Sequence, residues 1–270
     1  MNMKIVTIIQ ARTSSTRLPK KVLMPLAGKT ALSRLVERVM ASKLSGEIVV
    51  ATTTESNDNP IRELCLLENF NCFSGHPIDL LDRHYKAASK FKADIVVKIP
   101  SDCPLIDPDI IDSVLEFYMH NYSDFDYVSN LHPATFPDGN DVEVMSISTL
   151  RTAWKEAKKN FEREHATPFI WENRQRFRIG NITWDKGLDF SMTHRFTLDY
   201  IEDYQFISKV YDELYENNPL FGLNEILELL ERKPEIALIN NKYLGVNWYR
   251  HHLSELKTIK PSETNLKIVS

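Results

Sequence analysis

The chain has 270 residues, of which 43% are hydrophobic and 26% are charged, and its formal net charge is −4. This composition is typical of a soluble globular protein. The acidic balance argues against a general nucleic-acid-binding protein, which needs an extended basic surface. No apolar run approaches the roughly 20 residues that cross a bilayer, so we expect no contact with a membrane.

The N-terminus and the cysteines indicate where the protein works. The first residues, "MNMKIVTIIQAR", contain no small-residue cleavage site and are typical of a strand rather than a signal peptide. The three cysteines are spaced irregularly, which favours neither a disulfide framework nor a zinc site. We therefore expect a cytoplasmic protein.

Three segments in the first half are nearly continuous runs of Val and Ile, at residues 4–11, 47–53 and 94–99. Such runs are typical of strands that are buried on both faces of a parallel sheet. Between the first two, apolar residues recur at helical spacing. The sequence therefore predicts a β-α-β-α-β-α start with right-handed crossovers.

Two of the predicted helices carry start signals. Asn59 is a possible cap with Pro60 at the first helical position, and Asp107 and Pro108 repeat the device. Because ligands of open parallel sheets lie beyond the carboxyl ends of the strands, the loops 11–22, 53–59 and 100–107 should share one rim.

The second half is less regular. Strands are predicted at 126–130, 141–147 and 195–200, and helices at 148–159, 202–217 and near 223–232. We see neither an internal repeat nor a linker, and so predict one domain over residues 1–234 with a C-terminal tail at 235–270. "NWYRHH" (247–252) suggests that this tail docks through aromatic side chains.

The segment that follows the first strand, residues 11–22 (the basic loop), gathers Arg12, Arg17, Lys20 and Lys21. Backbone N–H groups behind a buried strand favour anions, and arginine and lysine add charge-assisted contacts to phosphate. Neither the GxxxxGK[ST] nor the GxGxxG pattern is present. The cluster therefore predicts a site for a small polyphosphate, although a solvated basic turn is the alternative.

An ordered series of motifs carries a family resemblance. "QARTSSTRLPKKVL" (10–23) is followed by "EIVVATT", "LLDRHYKAA", "SDCPLIDPDIID", "YVSN", "TFPDGNDVEV", "EREHATPFI" and "RFTLDYIEDY". The series resembles the cytidylyltransferases that activate acidic sugars, the 3-deoxy-manno-octulosonate and acylneuraminate cytidylyltransferases, and above all their spore-coat polysaccharide branch. It spans roughly residues 4 to 210.

The resemblance implies a three-layer α/β/α nucleotidyltransferase fold, Rossmann-like with a mostly parallel sheet. It also implies attack of an acceptor oxygen on the α-phosphorus of CTP with release of pyrophosphate, which forms a CMP-activated ulosonic acid for a surface polysaccharide. The implied partners are CTP, a small acidic acceptor and a second copy of the chain in a homodimer, for which we expect residues 126–165 to form the surface.

The resemblance also assigns the nucleotide side of the site. It implies catalytic roles for Arg12, Arg17, Lys21, Asp102 and Asp199, with Asp102 and Asp199 binding Mg²⁺, a cation that prefers one or two carboxylates together with phosphate and water. The nucleotide contacts are expected from Gln10, Ala11, Arg12, Ser15, Thr16, Arg17, Lys21, Asp82, Arg83 and Asp102. Asp102 could instead form a turn before Pro104, Asp199 could cap the following helix, and Asp82 and Arg83 could simply lie on a helix face.

The acceptor side is expected in the second half. Asn140, Asp141 and Glu143 should face the sugar, with Asp141 and Glu143 on one side of a strand. Arg163 and His165 could read an acidic group, although an exposed strand face and a structural histidine are the alternatives. Cys103 lacks activating neighbours in the sequence and is interpreted as a small buried side chain.

Three rival functions stay open. The acceptor could be a phosphonate or a sugar phosphate, the chain could be a glycosyltransferase on a similar sheet, or it could bind CTP without turnover. Release of pyrophosphate from CTP distinguishes these classes. Covalent catalysis is not expected, because no Ser-His-Asp order is present.

Overall fold

A computed structural model describes residues 3–184 and 187–267. Within them the strands are β1 (Ile5–Gln10), β2 (Pro25–Leu26), β3 (Lys29–Thr30), β4 (Glu47–Thr53), β5 (Asn71–Gly75), β6 (Ile95–Pro100), β7 (Tyr127–Ser129), β8 (Glu143–Ser146) and β9 (Ile179–Asn181). The α-helices are α1 (Ala31–Ala41), α2 (Asn59–Leu67), α3 (Leu80–Lys90), α4 (Pro108–His120), α5 (Ile147–Glu156), α6 (Asn160–His165), α7 (Pro168–Trp171), α8 (Ile201–Leu214), α9 (Leu223–Arg232) and α10 (Pro234–Ala237). Short 3₁₀ turns lie at Lys21–Leu23, Ser56–Asp58, Asn241–Tyr243, Trp248–His251 and Pro261–Glu263.

A mixed seven-stranded sheet in the order β5-β4-β1-β6-β8-β7-β9 forms the centre of the protein. Strands β5, β4, β1 and β6 run parallel, and β8 is antiparallel to both β6 and β7. The three predicted Val/Ile strands are confirmed as β4, β1 and β6. They are adjacent, so the loops that follow them share one rim as expected.

Helices cover both faces of the sheet, which confirms the predicted three-layer α/β/α arrangement. Alternation along β1 shows the two layers directly, since Val6 and Ile8 pack among α3, α5 and α7, whereas Ile9 packs among α1, α4 and α8. All three side chains are fully buried. Burial of this kind stabilises the fold by about 1.5–3 kcal/mol for each such side chain.

Two predicted details are wrong, and four strands, β2, β3, β5 and β9, were missed. Residues 195–200 form no strand, because Phe196 N donates to Asp138 O (2.7 Å) and Leu198 N to Asp102 O (2.7 Å), both of which lie in loops. Asn59 is the first residue of α2 rather than its cap. The predicted cap Asp107 is confirmed, since its carboxylate accepts from Asp109 N at 2.8 Å.

Among the missed strands, β5 is short and polar and pairs with β4 at the sheet edge, where burial on both faces is not required. Among the described residues, no helix is both long and apolar enough to span a membrane.

The described part of the tail packs on the domain instead of projecting from it. Ile236 lies in the core beside α8 and α9, and Leu256 and Ile259 join the opposite layer. The predicted aromatic docking is seen within the chain, because Trp248 stacks on His165 with ring centroids 3.7 Å apart.

Candidate active site

The basic loop is fixed at both ends before it presents its cations. Thr13, which follows β1, donates to Asp58 through its amide and its hydroxyl, both at 2.7 Å. Asp58 lies after β4 and is 2% exposed. Lys20 N then closes the loop by donating to Thr13 O at 2.9 Å. The start of the loop is therefore held by the turn that follows β4.

Lys21 is the point at which the loop meets two distant acids. Its Nζ donates to Asp102 Oδ2 at 2.9 Å and to Asp199 Oδ1 at 2.8 Å. Asp102 follows β6, and Asp199 precedes α8. Arg17 NH2 also contacts Asp199 Oδ1, at 2.7 Å. Residues far apart in the sequence thus form one compact cluster of cations and carboxylates.

The cluster keeps its members charged. Although burial opposes the ammonium, the charges of Asp102 and Asp199 raise the pKa of Lys21. Burial likewise opposes the carboxylate of Asp199, but Lys21, Arg17 and Arg195 together hold its pKa well below the ordinary range. At neutral pH Lys21 and Asp199 therefore form an ion pair that is largely shielded from water, where electrostatic interactions are stronger than in bulk solvent.

Arg195 positions Asp199 from behind. Its side chain is fully buried, and its Nε donates to Asp203 Oδ1 at 2.9 Å while NH2 lies 3.4 Å from Asp199 Oδ2. The other carboxylate oxygen of Asp203 accepts from the backbone N–H groups of Asp199 and Tyr200, each at 3.0 Å. Asp203 therefore caps α8 and fixes the backbone of the segment that carries Asp199.

A cleft of about 1370 Å³ opens over this cluster. Most of the predicted site residues line it, namely Gln10, Ala11, Arg12, Ser15, Thr16, Arg17, Lys21, Arg83, Asp102, Asn140, Asp141, Glu143, His165 and Asp199. Arg12 is exposed and has neither a hydrogen bond nor an ion pair with the described residues, so its guanidinium is available to a ligand.

Asp82 and Arg163 are the predicted site residues that are absent from the cleft lining. Asp82 accepts from Trp154 Nε1 at 2.8 Å in the first turn of α3. Arg163 Nε pairs with Asp79 at 2.6 Å, and its NH1 donates to Trp154 O at 2.9 Å. Both side chains join α3 to α5 and α6.

Three of the residues predicted to bind the acceptor differ in how firmly hydrogen bonds hold their side chains. Asn140 is 1% exposed, and its amide accepts from Asp107 N at 3.1 Å and donates to Pro137 O at 3.2 Å. Glu143 is bound by Lys98 and by Tyr127 OH, the latter at 2.6 Å. With the residues that the structure describes, the Asp141 carboxylate makes only a long hydrogen bond, in which it accepts from Gly139 N at 3.4 Å.

The environment of Asp141 is unusual for a carboxyl group. Burial and the neighbouring charge of Asp102 raise the pKa of Asp141 to about 6. Gly139, at φ +107°, lets this loop approach the 196–197 backbone, because a Cβ there would lie 2.6 Å from Phe196 C. Asp141 therefore faces the cleft from a tightly packed turn.

Other groups near the cleft favour neutral forms. Burial and Lys98 lower the pKa of His165 to about 3, so its ring is neutral. Cys103 is 1% exposed, as predicted, and burial raises the pKa of its thiol well above the usual value. Neither group is suited to act as a charged catalyst at neutral pH.

Sequence reasoning missed several cleft residues. Lys98 lies within a Val/Ile strand. A lysine in a strand that is buried on both faces needs a partner, and this was the signal in the sequence that could have identified it. His132 and Arg174 come from loops without such a signal. Further lining residues come from the tail, among them Trp248, Tyr249, His251 and Lys260. The "NWYRHH" pattern marked this segment, but no periodicity placed it at the cleft.

Asp102 and Asp199 have the chemistry of Mg²⁺ ligands. Each places an oxygen within 3 Å of a single nitrogen, Lys21 Nζ, so the two carboxylates are close enough to share one cation, and the Lys21 ammonium occupies that position in this structure. In the described part of the chain, no group of three or more His, Cys, Asp or Glu residues is arranged to hold a metal ion. Mg²⁺ commonly uses one or two carboxylates and takes its other ligands from phosphate and water.

Comparisons with known proteins identify the family of the chain. Residues 6–231 match the cytidylyltransferase family model. The spore coat polysaccharide biosynthesis protein SpsF of Bacillus subtilis is 30% identical over 238 residues, which cover 86% of this chain and 96% of that protein. The 3-deoxy-manno-octulosonate cytidylyltransferase of Chloroherpeton thalassium is 35% identical over 123 residues, or 44% of this chain and 48% of that protein.

A solved structure extends the likeness to three dimensions. A cytidylyltransferase from Leptospira borgpetersenii superposes with a TM-score of 0.82 at 32% identity, covering 87% of this chain and 97% of that one. The family match spans the seven-stranded sheet from Val6 onward. The chain therefore belongs to the cytidylyltransferase family and is a CTP-dependent nucleotidyltransferase.

Proposed function

We propose that this chain transfers a cytidylyl group from CTP to an acidic sugar of the ulosonic type and releases pyrophosphate. The enzyme works in the cytoplasm, and its product is used to synthesise a surface polysaccharide. The similarity to SpsF and to a 3-deoxy-manno-octulosonate cytidylyltransferase supports this choice of acceptor and pathway class. A homodimer that uses residues 126–165 is part of the same proposal.

The observation that carries the proposal is the convergence of the basic loop and two acids on one point. Lys21 Nζ lies within 3 Å of oxygens from both Asp102 and Asp199, and Arg17 joins them. A triphosphate bound there would meet Arg12, Arg17 and Lys21 from one side. Positioning and neutralisation of phosphate charge are the main requirements of such transfers.

The reaction follows from that arrangement. An acceptor hydroxyl oxygen forms a bond to the α-phosphorus of CTP, and the bond from that phosphorus to the β-phosphate bridging oxygen breaks. The hydroxyl proton is released, and the electron pair leaves with pyrophosphate. Arg12, Arg17 and Lys21 stabilise the charge that develops on the leaving group.

Asp102 and Asp199 would hold Mg²⁺, which supplies additional neutralisation of the phosphate oxygens when it is bound. The chain's own contribution is to orient these carboxylates. Leu198 N donates to Asp102 O at 2.7 Å and thereby ties the two acidic segments together. Arg195 and Asp203 then set the direction of Asp199.

The test is a pyrophosphate-release screen of CTP, UTP and ATP, each against ulosonic acids, phosphonates and sugar phosphates, with Mg²⁺ present. We expect release with CTP and an ulosonic acid. Release only with a phosphonate or a sugar phosphate would keep the reaction but reject the acceptor. Release of CMP from a CMP-sugar without any pyrophosphate would indicate a glycosyltransferase, and CTP binding without turnover would indicate a silent nucleotide-binding protein.

A further inference from the structure

A segment near the C-terminus, residues 245–263, forms one side of the cleft. We call it the C-terminal wall. It lies wholly beyond residues 6–231, the part of the chain that matches the family model. Its cleft-lining residues include Trp248, Tyr249, His251 and Lys260. The family match therefore accounts for the nucleotide side of the cleft but not for this wall.

The wall is anchored to the domain at both ends. Near its start, Arg195 NH1 donates to Val246 O at 2.7 Å, and this is the arginine that orients Asp199. Towards its end, the carboxylate of Glu172 accepts from Lys257 N at 2.6 Å and from Thr258 N at 2.9 Å. Since partners on the main domain hold both ends, the wall has a defined position relative to the acids.

The turn Trp248–His251 brings two kinds of side chain to the cleft. Trp248 stacks on His165 with an interplanar angle of 14°, and Tyr249 lies beside it with ring centroids 4.7 Å apart. His251 is exposed and has no hydrogen bond or ion pair with the described residues. The turn therefore presents an aromatic surface next to an unused hydrogen-bonding ring.

His251 lines the same cleft as Arg17 and Asp199. Partial desolvation and the nearby charges of Arg250, His252 and Arg17 lower the pKa of His251. Its ring carries an N–H donor in either protonation state. Arg17 itself contacts Asp199 at 2.7 Å. A ligand in this cleft would therefore be bounded both by Asp199 and by the wall that carries His251.

This position matches the chemistry of the proposed acceptor. In an ulosonic acid the carboxylate is bonded to the carbon that carries the attacking hydroxyl, so it must lie near the α-phosphorus. The remainder of the sugar has a less polar ring face, which aromatic side chains commonly cover in binding sites. One wall that offers both a donor and an aromatic surface suits such a molecule.

We propose that the C-terminal wall determines acceptor specificity, with His251 donating to the acceptor carboxylate and Trp248 packing against the sugar face. The inference rests on the proposed function. It names the wall, rather than the family core, as the element that reads the acceptor.

The test compares His251→Ala and Trp248→Ala with Arg250→Ala as the matched control. Arg250 lies in the same turn but does not line the cleft, and its NH2 donates to Lys267 O at 3.2 Å. We expect His251→Ala to raise the KM for the ulosonic acid about tenfold, as loss of a hydrogen bond to a charged group does. The KM for CTP should stay within about twofold, and Arg250→Ala should change neither constant.

A second measurement distinguishes recognition of the acceptor carboxylate from a purely structural role of the wall. The preference of the wild type for the free acid over its methyl ester should fall about tenfold in His251→Ala, and His251→Gln, which keeps an N–H donor, should recover part of it. Trp248→Ala should raise the acceptor KM for acid and ester alike, and Trp248→Phe should have a smaller effect. If Trp248→Ala does not fold, His251→Ala still tests the inference, because the His251 side chain is exposed and its replacement should leave the fold intact.

The outcomes are distinguishable. Normal acceptor KM and acid preference in His251→Ala and Trp248→Ala would overturn the inference while the proposed function stood. Equal losses for CTP and acceptor would also overturn it, since the wall would then be only structural. Absence of pyrophosphate release by the wild type with any ulosonic acid would reject the proposed function, and the inference would fall with it.

Discussion

Replacement of Asp58 by alanine should loosen the basic loop and weaken CTP binding, although Asp58 does not line the cleft. Its Oδ1 accepts from Thr13 N and Thr13 Oγ1, both at 2.7 Å, and its Oδ2 accepts from Thr53 Oγ1. The carboxylate thus joins the start of the loop to the end of β4. Without it, the first residues after β1 lose their fixed partner.

The magnitude follows from the partners that remain. Thr13 Oγ1 keeps a second bond to Asn57 O at 3.1 Å, and Thr53 Oγ1 still accepts from Glu55 N at 3.2 Å. The buried Thr13 N–H loses its acceptor, which costs about 1–3 kcal/mol, and the charge-assisted bonds add to this loss. We expect a total loss of about 2–4 kcal/mol and a fall in Tm of about 5–10 °C.

CTP affinity should fall as well, because binding must then order the loop. Each 1.4 kcal/mol spent on ordering lowers the apparent affinity about tenfold, so a loss of about tenfold or more is expected. The assay is calorimetric titration of CTP beside thermal unfolding of the same samples.

Asp112 provides the matched control. It also accepts three hydrogen bonds, from Ser42 Oγ (2.7 Å), Lys43 N (3.1 Å) and Leu44 N (2.9 Å), but these residues precede β4, at the opposite end of the strand from the basic loop. Asp112→Ala should lower Tm and leave CTP affinity within about twofold of the wild type. Equal CTP affinity in the two variants would refute the reasoning that Asp58 orders a nucleotide-binding loop.

The pH dependence of stability gives an independent check on Asp58. Although burial favours the neutral acid, the donors Thr53 and Thr13 hold the pKa of Asp58 below its ordinary value. Because the folded pKa is the lower one, this stabilisation is fully present above the unfolded value of about 4 and is lost as pH falls through the folded pKa. The stability difference between wild type and Asp58→Asn should therefore shrink below about pH 4, as measured by urea unfolding.

The remaining predictions concern the cluster itself. Asp102→Asn and Asp199→Asn should each abolish most pyrophosphate release while circular dichroism stays native-like. Near-normal turnover in both variants would show that these carboxylates are not the Mg²⁺ ligands. Arg17→Ala should weaken CTP binding about tenfold, since a charge-assisted contact to phosphate contributes roughly 1.5–3 kcal/mol. Lys20→Gln, in the same loop but absent from the cleft lining, should bind CTP normally, and equal weakening in the two loop variants would indicate a general charge effect.

The parallel half of the fold could be predicted because its strands are buried on both faces. Val and Ile runs such as 47–53 mark these strands without ambiguity, and their parallel order places the following loops on one rim. The positions of Lys21 and Asp102 at that rim follow from the same reasoning. Asp199 could be assigned only through the family motif, since residues 195–200 are held by loops rather than by a neighbouring strand.

Side-chain partners could not be read from the sequence. Arg163 and Asp82 look like site residues in a motif, yet their partners are Asp79 and Trp154 within the helical layer. Asp58 resembles an ordinary residue before a helix, and its role depends on a threonine 45 residues away. Contacts of this kind arise only when distant elements meet in the tertiary structure.

The most direct measurement is a crystal structure of the protein with CTP and Mn²⁺ in place of Mg²⁺, with the metal located by its anomalous scattering. We predict a metal peak about 2.1 Å from oxygens of both Asp102 and Asp199, with the triphosphate contacted by Arg12, Arg17 and Lys21. A metal bound away from these two carboxylates, or CTP bound away from the basic loop, would contradict the proposed site.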